Sequence, residues 1–175
     1  MVPDERQLLH RLSESAEAVG KRPDTKAREL LGWIETNLRP GGQWNEERLI
    51  IFTEYRDTRN CLHQLFRDLG WGDQLMVLYG GMNLAERERV KAAFQSASSP
   101  DNPVRILLGT DAASEGLNLQ NHCRLLIHYE IPWNPNRMEQ RNGRIDRHGQ
   151  PASDVYCRHF RYTNNEDQRF LEVVV

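Results

Sequence analysis

The sequence predicts an α/β fold with a mainly parallel central sheet and helices on both of its faces. Three observations lead there. Short unbroken apolar runs such as Leu49-Ile50-Ile51-Phe52 lack the in-out alternation of a half-exposed strand and read as strands covered on both faces. The runs beginning at Leu49 and Leu75 are each followed by a helical stretch, so the element type alternates along the chain. The length of 175 residues, with 38% hydrophobic and 27% charged side chains, is that of one compact soluble domain rather than two domains or a disordered chain.

The elements follow in order. Residues 1–22 are polar, with Leu8, Leu9 and Leu12 forming only a short stripe, and are expected to be a helical extension or linker; 23–175 is the domain proper. From Asp24 a helical pattern carries Ala27, Leu30, Leu31 and Ile34 inward and stops at Pro40-Gly41-Gly42. Leu49–Phe52 is the first strand, and a helix runs from about Arg56 to Leu69. Leu75–Tyr79 is the second strand, Gly80-Gly81 a turn, and Leu84–Phe94 a charged helix showing Glu86, Arg87, Glu88 and Arg89 to solvent. Strands are expected at Val104–Leu108 and Arg124–His128, separated by a loop containing Gly116. Pro135 suits the first turn of a helix that would reach about Arg147. A β-rich stretch, Asp154–Tyr162, and a short helical tail ending Val173-Val174-Val175 complete the chain. Ligands of such sheets bind outside the carboxyl ends of the strands, which directs attention to Thr53-Glu54-Tyr55, Gly80-Gly81 and Thr110–Gly116.

The net charge of −2 excludes a uniformly basic coat for nucleic acid. The positive charge is instead local: residues 137–161 hold six arginines against Glu139, Asp146 and Asp154, a net +3. Of 23 cationic residues 20 are Arg, the planar fork suited to phosphates and carboxylates, although genomic base composition could produce the same bias. Cys61, Cys123 and Cys157 are odd in number and form no CxxC pair, so neither a disulfide framework nor a zinc knuckle is expected; six scattered histidines add no metal-site spacing. A reducing cytoplasm fits. The N-terminus has no signal-peptide pattern, and no apolar run is long enough to span a membrane.

The most informative segment is Trp133-Asn134-Pro135 followed by Gln140, Gly143-Arg144, Arg147 and Gly149-Gln150. On a helix, Gln140, Arg144 and Arg147 share one face, so two guanidinium groups and an amide would point together. Their natural counterpart is a multiply charged anion such as a phosphoryl group; a solvated face paired with Glu139 and Asp146 is the other reading. Ile106 to Gln120 forms a second segment, a buried strand running into small and polar residues, which suits either a phosphate cradle or a capped turn. Leu49–Tyr55 leaves Thr53 at a strand tip. Gly80-Gly81 precedes a helix N-terminus, where backbone can approach an anion closely. Trp33, Trp44, Trp71 and Trp133 could stack on bases or simply pack.

The whole string Gln-Arg-Asn-Gly-Arg-Ile-Asp-Arg-His-Gly-Gln at 140–150 resembles motif VI of superfamily 2 helicases and translocases, and the preceding Trp-Asn-Pro resembles the Swi/Snf-type branch. Asp146, where eukaryotic remodellers usually carry His, makes it more similar to bacterial RNA-polymerase-associated Swi/Snf-like ATPases and phage-defence helicases. Residues 106–120 resemble motif V, Leu49–Tyr55 motif IV, and Asp24-Thr25-Lys26 the entry into the same lobe. The matches occur in family order over about residues 24–162.

The resemblance implies a RecA-like three-layer α/β/α sandwich, the second lobe of a two-lobed motor. It implies arginine fingers at Arg144 and Arg147 placed with the help of Gln140, and nucleotide contacts at Glu115, Gly116 and Gly143. Nucleic-acid contacts would fall on Thr53, Gly80, Gly81, Thr110 and Asn118. The chain has no GxxxxGK[ST] loop and no acidic motif after a buried strand, so ATP with Mg²⁺ would sit on a first RecA-like lobe, with no metal or cofactor held by this chain alone. The expected partners are that lobe and nucleic acid, with Trp133-Asn134-Pro135 favouring duplex DNA over RNA; no membrane is expected, and the chain by itself would be monomeric. The competing function is a stand-alone α/β module that grips nucleic acid or protein with its Arg-bearing helix.

Overall fold

The computed structural model describes residues 23–111 and 119–161. The chain divides into two compact units, Met1–Ile34 and Glu35–Val175, and the sheet lies in the second. Helix α1 is Thr25–Asn37; its first turn is capped by Asp24, whose Oδ1 accepts from the Ala27 N–H at 2.6 Å. A short 3₁₀ turn, Pro40–Gly42, follows. Then come β1 (Leu49–Thr53), α2 (Arg56–Asp68), β2 (Leu75–Leu78), α3 (Leu84–Gln95), β3 (Ile106–Thr110), β4 (Leu125–His128), α4 (Pro135–Asn142) and β5 (Tyr156–His159).

All five strands pair in parallel, in the order β2-β3-β1-β4-β5. Parallel pairing explains the unbroken apolar runs. Ile50, Phe52, Leu78, Leu107 and Leu126 share one face of the sheet and form a core with Val90 and Phe94 of α3 and with Ile145. Neighbouring residues in each strand point oppositely, and α2 packs on β1 and β3 from the other face, burying Leu62 and Phe66. The strand order has a physical consequence for ligands. After β1 the chain builds β2 and β3 on one side of it, then crosses to build β4 and β5 on the other. A crevice therefore opens where successive crossovers part, outside the carboxyl ends of the central strands.

The expected α/β architecture stands, and the bounds of three elements move by more than one residue. The third strand is Ile106–Thr110, not Val104–Leu108: its register with β1 begins at Leu49–Ile106 and runs to Thr53–Thr110. The last strand is only Tyr156–His159. Helix α4 ends at Asn142 rather than near Arg147: Gly143 caps it and the chain goes on as separate turns, with Ile145 N–H and Asp146 N–H both donating to Asn142 O. Residues 1–22 and the expected C-terminal helical tail lie outside the described residues.

Candidate functional site

A cleft of about 540 Å³ lies at the carboxyl ends of the strands. Glu54 follows β1, and Arg56 and Arg59 come from the first turn of α2; Tyr79 and Gly80 follow β2. Thr110 ends β3 with Asp111 next to it, and Arg137, Gln140, Arg141 and Arg144 come from α4 and the turn after it. Parallel strands ending together create this convergence, and it brings residues up to 90 positions apart in the chain to one wall.

Of the residues singled out in the sequence, Gly80, Thr110, Gln140 and Arg144 line this cleft together. Gly81 makes the adjoining turn at φ 90°, a conformation that a side chain resists. Thr53 is placed differently. It is fully buried, and its hydroxyl turns back on the Tyr55 backbone, 3.4 Å from both N and O, so it shapes the turn instead of facing the cleft. Gly143 is a packing position at the end of α4: its N–H donates to Glu139 O at 2.8 Å, and a Cβ there would meet that oxygen at 3.3 Å. Arg147 stands on an exposed turn beyond the cleft, because the helix that would have aligned it with Gln140 and Arg144 has already ended. Glu115, Gly116 and Asn118 lie outside the described residues.

The other motif letters have local explanations. Asn134 of the Trp-Asn-Pro run is the cap of α4, its Oδ1 accepting from Asn136 N–H at 3.0 Å, with Pro135 in the first turn. Gln150 ties the end of motif VI to the start of β4, its Nε2 donating to Ile145 O and Cys123 O at 2.9 and 3.0 Å. Trp71 packs against Phe66 and Trp44. Trp133 is largely exposed.

Sequence reasoning missed the centre of the site. Arg141, one of the six arginines of the basic stretch 137–161, is 1% exposed. Its Nε and Nη2 fork onto Asp111 at 2.5 and 2.8 Å, its Nη1 donates to Glu130 O at 2.9 Å, and its plane lies 5.5 Å from the Phe52 ring centroid. A signal was present. Arg141 precedes the buried Ile145 by four residues, which is the inward face of a helix. His128 lies beside it, with Nε2 2.8 Å from Asn142 Oδ1 and Nδ1 3.5 Å from Arg141 Nη1. Burial first, and then the neighbouring Arg141 guanidinium, push its pKa down to about 4 against the opposing pull of the Asn142 hydrogen bond.

Arg144 contrasts with Arg141. Its Nε is buried but has no hydrogen-bond partner among the described residues. A buried donor left unmade carries a desolvation cost that an incoming anionic oxygen would relieve. Arg137 is 57% exposed and stands 3.8 Å from Glu54 Oε1 and 3.9 Å from Asp111 Oδ2, beyond hydrogen-bonding range of both. Both cations are thus placed to meet a ligand. Cys123 is the opposite case: burial pushes its thiol up to about 12, and its Sγ donates to Arg48 O at 3.2 Å, so it is an inert core residue. Among the described residues no cluster of His, Cys, Asp and Glu suits a metal ion, and no helix is long and apolar enough to cross a membrane.

Comparison with known proteins decides the family. The pattern of the helicase conserved C-terminal domain matches residues 31–149, more than half of the chain. The chain belongs to the helicase C-terminal domain family. It is 33% identical over 129 residues to the uncharacterized ATP-dependent helicase YqhH of Bacillus subtilis, covering 74% of this chain and 21% of that protein. It is 32% identical over 127 residues to the RNA polymerase-associated protein RapA of Proteus mirabilis, covering 73% of this chain and 12% of RapA. The chain therefore spans about a fifth or less of the length of these relatives. Among solved structures, the C-terminal part of the Fun30 ATPase domain superposes with a TM-score of 0.71 at 16% identity, covering 98% of this chain and 54% of that one. This likeness extends to the whole described fold, which is RecA-like. The helicase match ends at Gly149, so it takes in every cleft residue named above.

Proposed function

We propose that this chain is the second motor lobe of a Swi/Snf-type ATP-dependent translocase acting on duplex DNA, completed by a first RecA-like lobe that holds ATP and Mg²⁺. One observation carries the reading: Gly80, Thr110, Gln140 and Arg144, from three separate segments, meet in one cleft, and Arg144 brings to it a buried Nε without a partner among the described residues. When the first lobe closes on this one, Arg144 stabilises charge developing on the transferred phosphoryl group, and Gln140 helps to place it. Arg147, exposed on the following turn, reaches the same nucleotide from outside the cleft. Glu115 and Gly116 belong to the nucleotide side by the family pattern, and Gly143 serves that side by leaving space where a Cβ would crowd Glu139 O at 3.3 Å. Thr110, Asn118 and the Gly80-Gly81 turn form the side that follows a phosphate backbone, with Thr53 fixing the neighbouring turn from beneath. Trp133-Asn134-Pro135 favours the duplex-DNA branch.

The decisive variant is Arg144→Ala in the gene product that joins this chain to a first lobe. An arginine finger is worth on the order of 10³- to 10⁵-fold in turnover. ATP hydrolysis should fall into that range while binding of a fluorescent ATP analogue stays within a few-fold, because the first lobe holds the nucleotide. Turnover that survives the change would overturn the assignment and leave a binding module.

A further inference from the structure

We propose that Arg141 is a positioning residue for the arginine-bearing wall of the cleft, acting through Arg144 and Gln140. This rests on the ATPase reading above. A buried guanidinium is a costly way to fill space, since a leucine would occupy the position without desolvating a charge. What the guanidinium adds is direction. Its planar fork fits a carboxylate in one orientation, and here every side of it is used: Asp111 takes two N–H groups at 2.5 and 2.8 Å and the Glu130 carbonyl takes a third at 2.9 Å. The face of the group lies over Phe52.

These anchors come from the ends of three adjacent strands, Phe52 in β1, Asp111 just after β3 and Glu130 just after β4. They therefore hold α4 against the central strands at one rotation and one height. The helix has only eight residues, so this grip sits within two turns of everything on it. Gln140 is the preceding residue, and Arg144 donates its N–H to Arg141 O at 3.0 Å. A small rotation about Arg141 would carry both away from the cleft, and misplacement of about 1 Å can cost on the order of 100-fold in rate.

The test is a double-mutant cycle on ATP turnover in the gene product joined to its first lobe, using Arg141→Lys, Arg144→Ala and the double variant, with thermal melts to confirm folding. Lysine keeps the charge and loses the fork. Arg141→Lys should lower kcat on the order of 10- to 100-fold with KM for ATP within about two-fold, and add less than about three-fold in the Arg144→Ala background. A purely structural role would give losses that multiply across the cycle, and that result, or unchanged kcat in Arg141→Lys, overturns the proposal while leaving the arginine-finger reading intact. Full turnover in Arg144→Ala overturns both. If Arg141→Lys does not fold, Asp111→Asn, which removes the anion but keeps the size, takes its place in the same cycle with the same criteria.

Discussion

Beneath α4, a histidine and an arginine share a space too small for two positive charges. The neutral tautomer of His128 that suits both neighbours carries its proton on Nε2, which donates to Asn142 Oδ1, and turns the Nδ1 lone pair to Arg141. Protonation would set an N–H against the guanidinium. The folded pKa of about 4 lies below the ordinary 6.5, so the unfolded chain binds the extra proton first as pH falls. This contribution to stability is complete above pH 6.5, is lost progressively between about pH 6.5 and 4, and then levels off, with a total on the order of 3 kcal/mol. Urea unfolding across that window should show the decline, and the assigned His128 ring signals should stay unchanged from pH 8 to 5. Titration of those signals near pH 6.5 would show that the ring is not held as described.

At the scale of the element, α4 matters more than its length suggests. Eight residues cannot hold a helix by intrinsic propensity, so its register depends on its ends and on Arg141. Asn134→Ala removes the side-chain cap and should cost about 1 kcal/mol, read as a lower urea midpoint at unchanged m-value and as faster amide exchange in the first turn of α4. Equal stability of variant and parent would show that Pro135 and Arg141 suffice. How far such features are legible in a sequence depends on what burial does to the pattern. Strands β1 and β4 were readable because parallel strands covered on both faces leave unbroken apolar runs. The start of β3 is not legible because Val104 is buried without being in the ladder. The end of α4 is not legible because 3.6-residue spacing continues through the turns after Gly143, and Ile145 is inward as if the helix went on. Gly80, Thr110, Gln140 and Arg144 could be named before their positions were known, since motif letters survive without geometry. Asp111 falls within the Thr110–Gly116 stretch and Arg141 stands four residues before Ile145, but their pairing is not legible. Composition rules place arginine outside, and the carboxylate that pays for its burial lies 30 residues away in the chain.

For the whole molecule, the cleft defines what this chain can and cannot do by itself. Phosphoryl transfer needs a cradle for the phosphates and a ligand set for Mg²⁺. The sequence has no GxxxxGK[ST] loop, and the described residues include no metal-binding cluster. If a first lobe holds ATP and Mg²⁺, as proposed, the 175-residue chain alone should hydrolyse no ATP above background, whether or not DNA is present. On the proposed reading, contact with DNA should be weak and electrostatic, because the arginines of the cleft share it with Glu54 and Asp111. Binding to a duplex of roughly 20 base pairs is expected at a Kd of about 10⁻⁴ to 10⁻⁶ M, with log K falling linearly against log salt. Each phosphate contact adds about 0.9 to that slope. Arg137, held only at 3.8 and 3.9 Å from its two carboxylates, is free of a strong ion pair to break and is the cation best placed to shift to a phosphate. Arg137→Ala should lower the slope by about one and weaken binding equally for unrelated duplex sequences, as measured by fluorescence anisotropy over a salt series. An unchanged slope would place the DNA away from α4, and ATP turnover by the chain alone would refute its assignment as the lobe that completes an ATPase carried elsewhere.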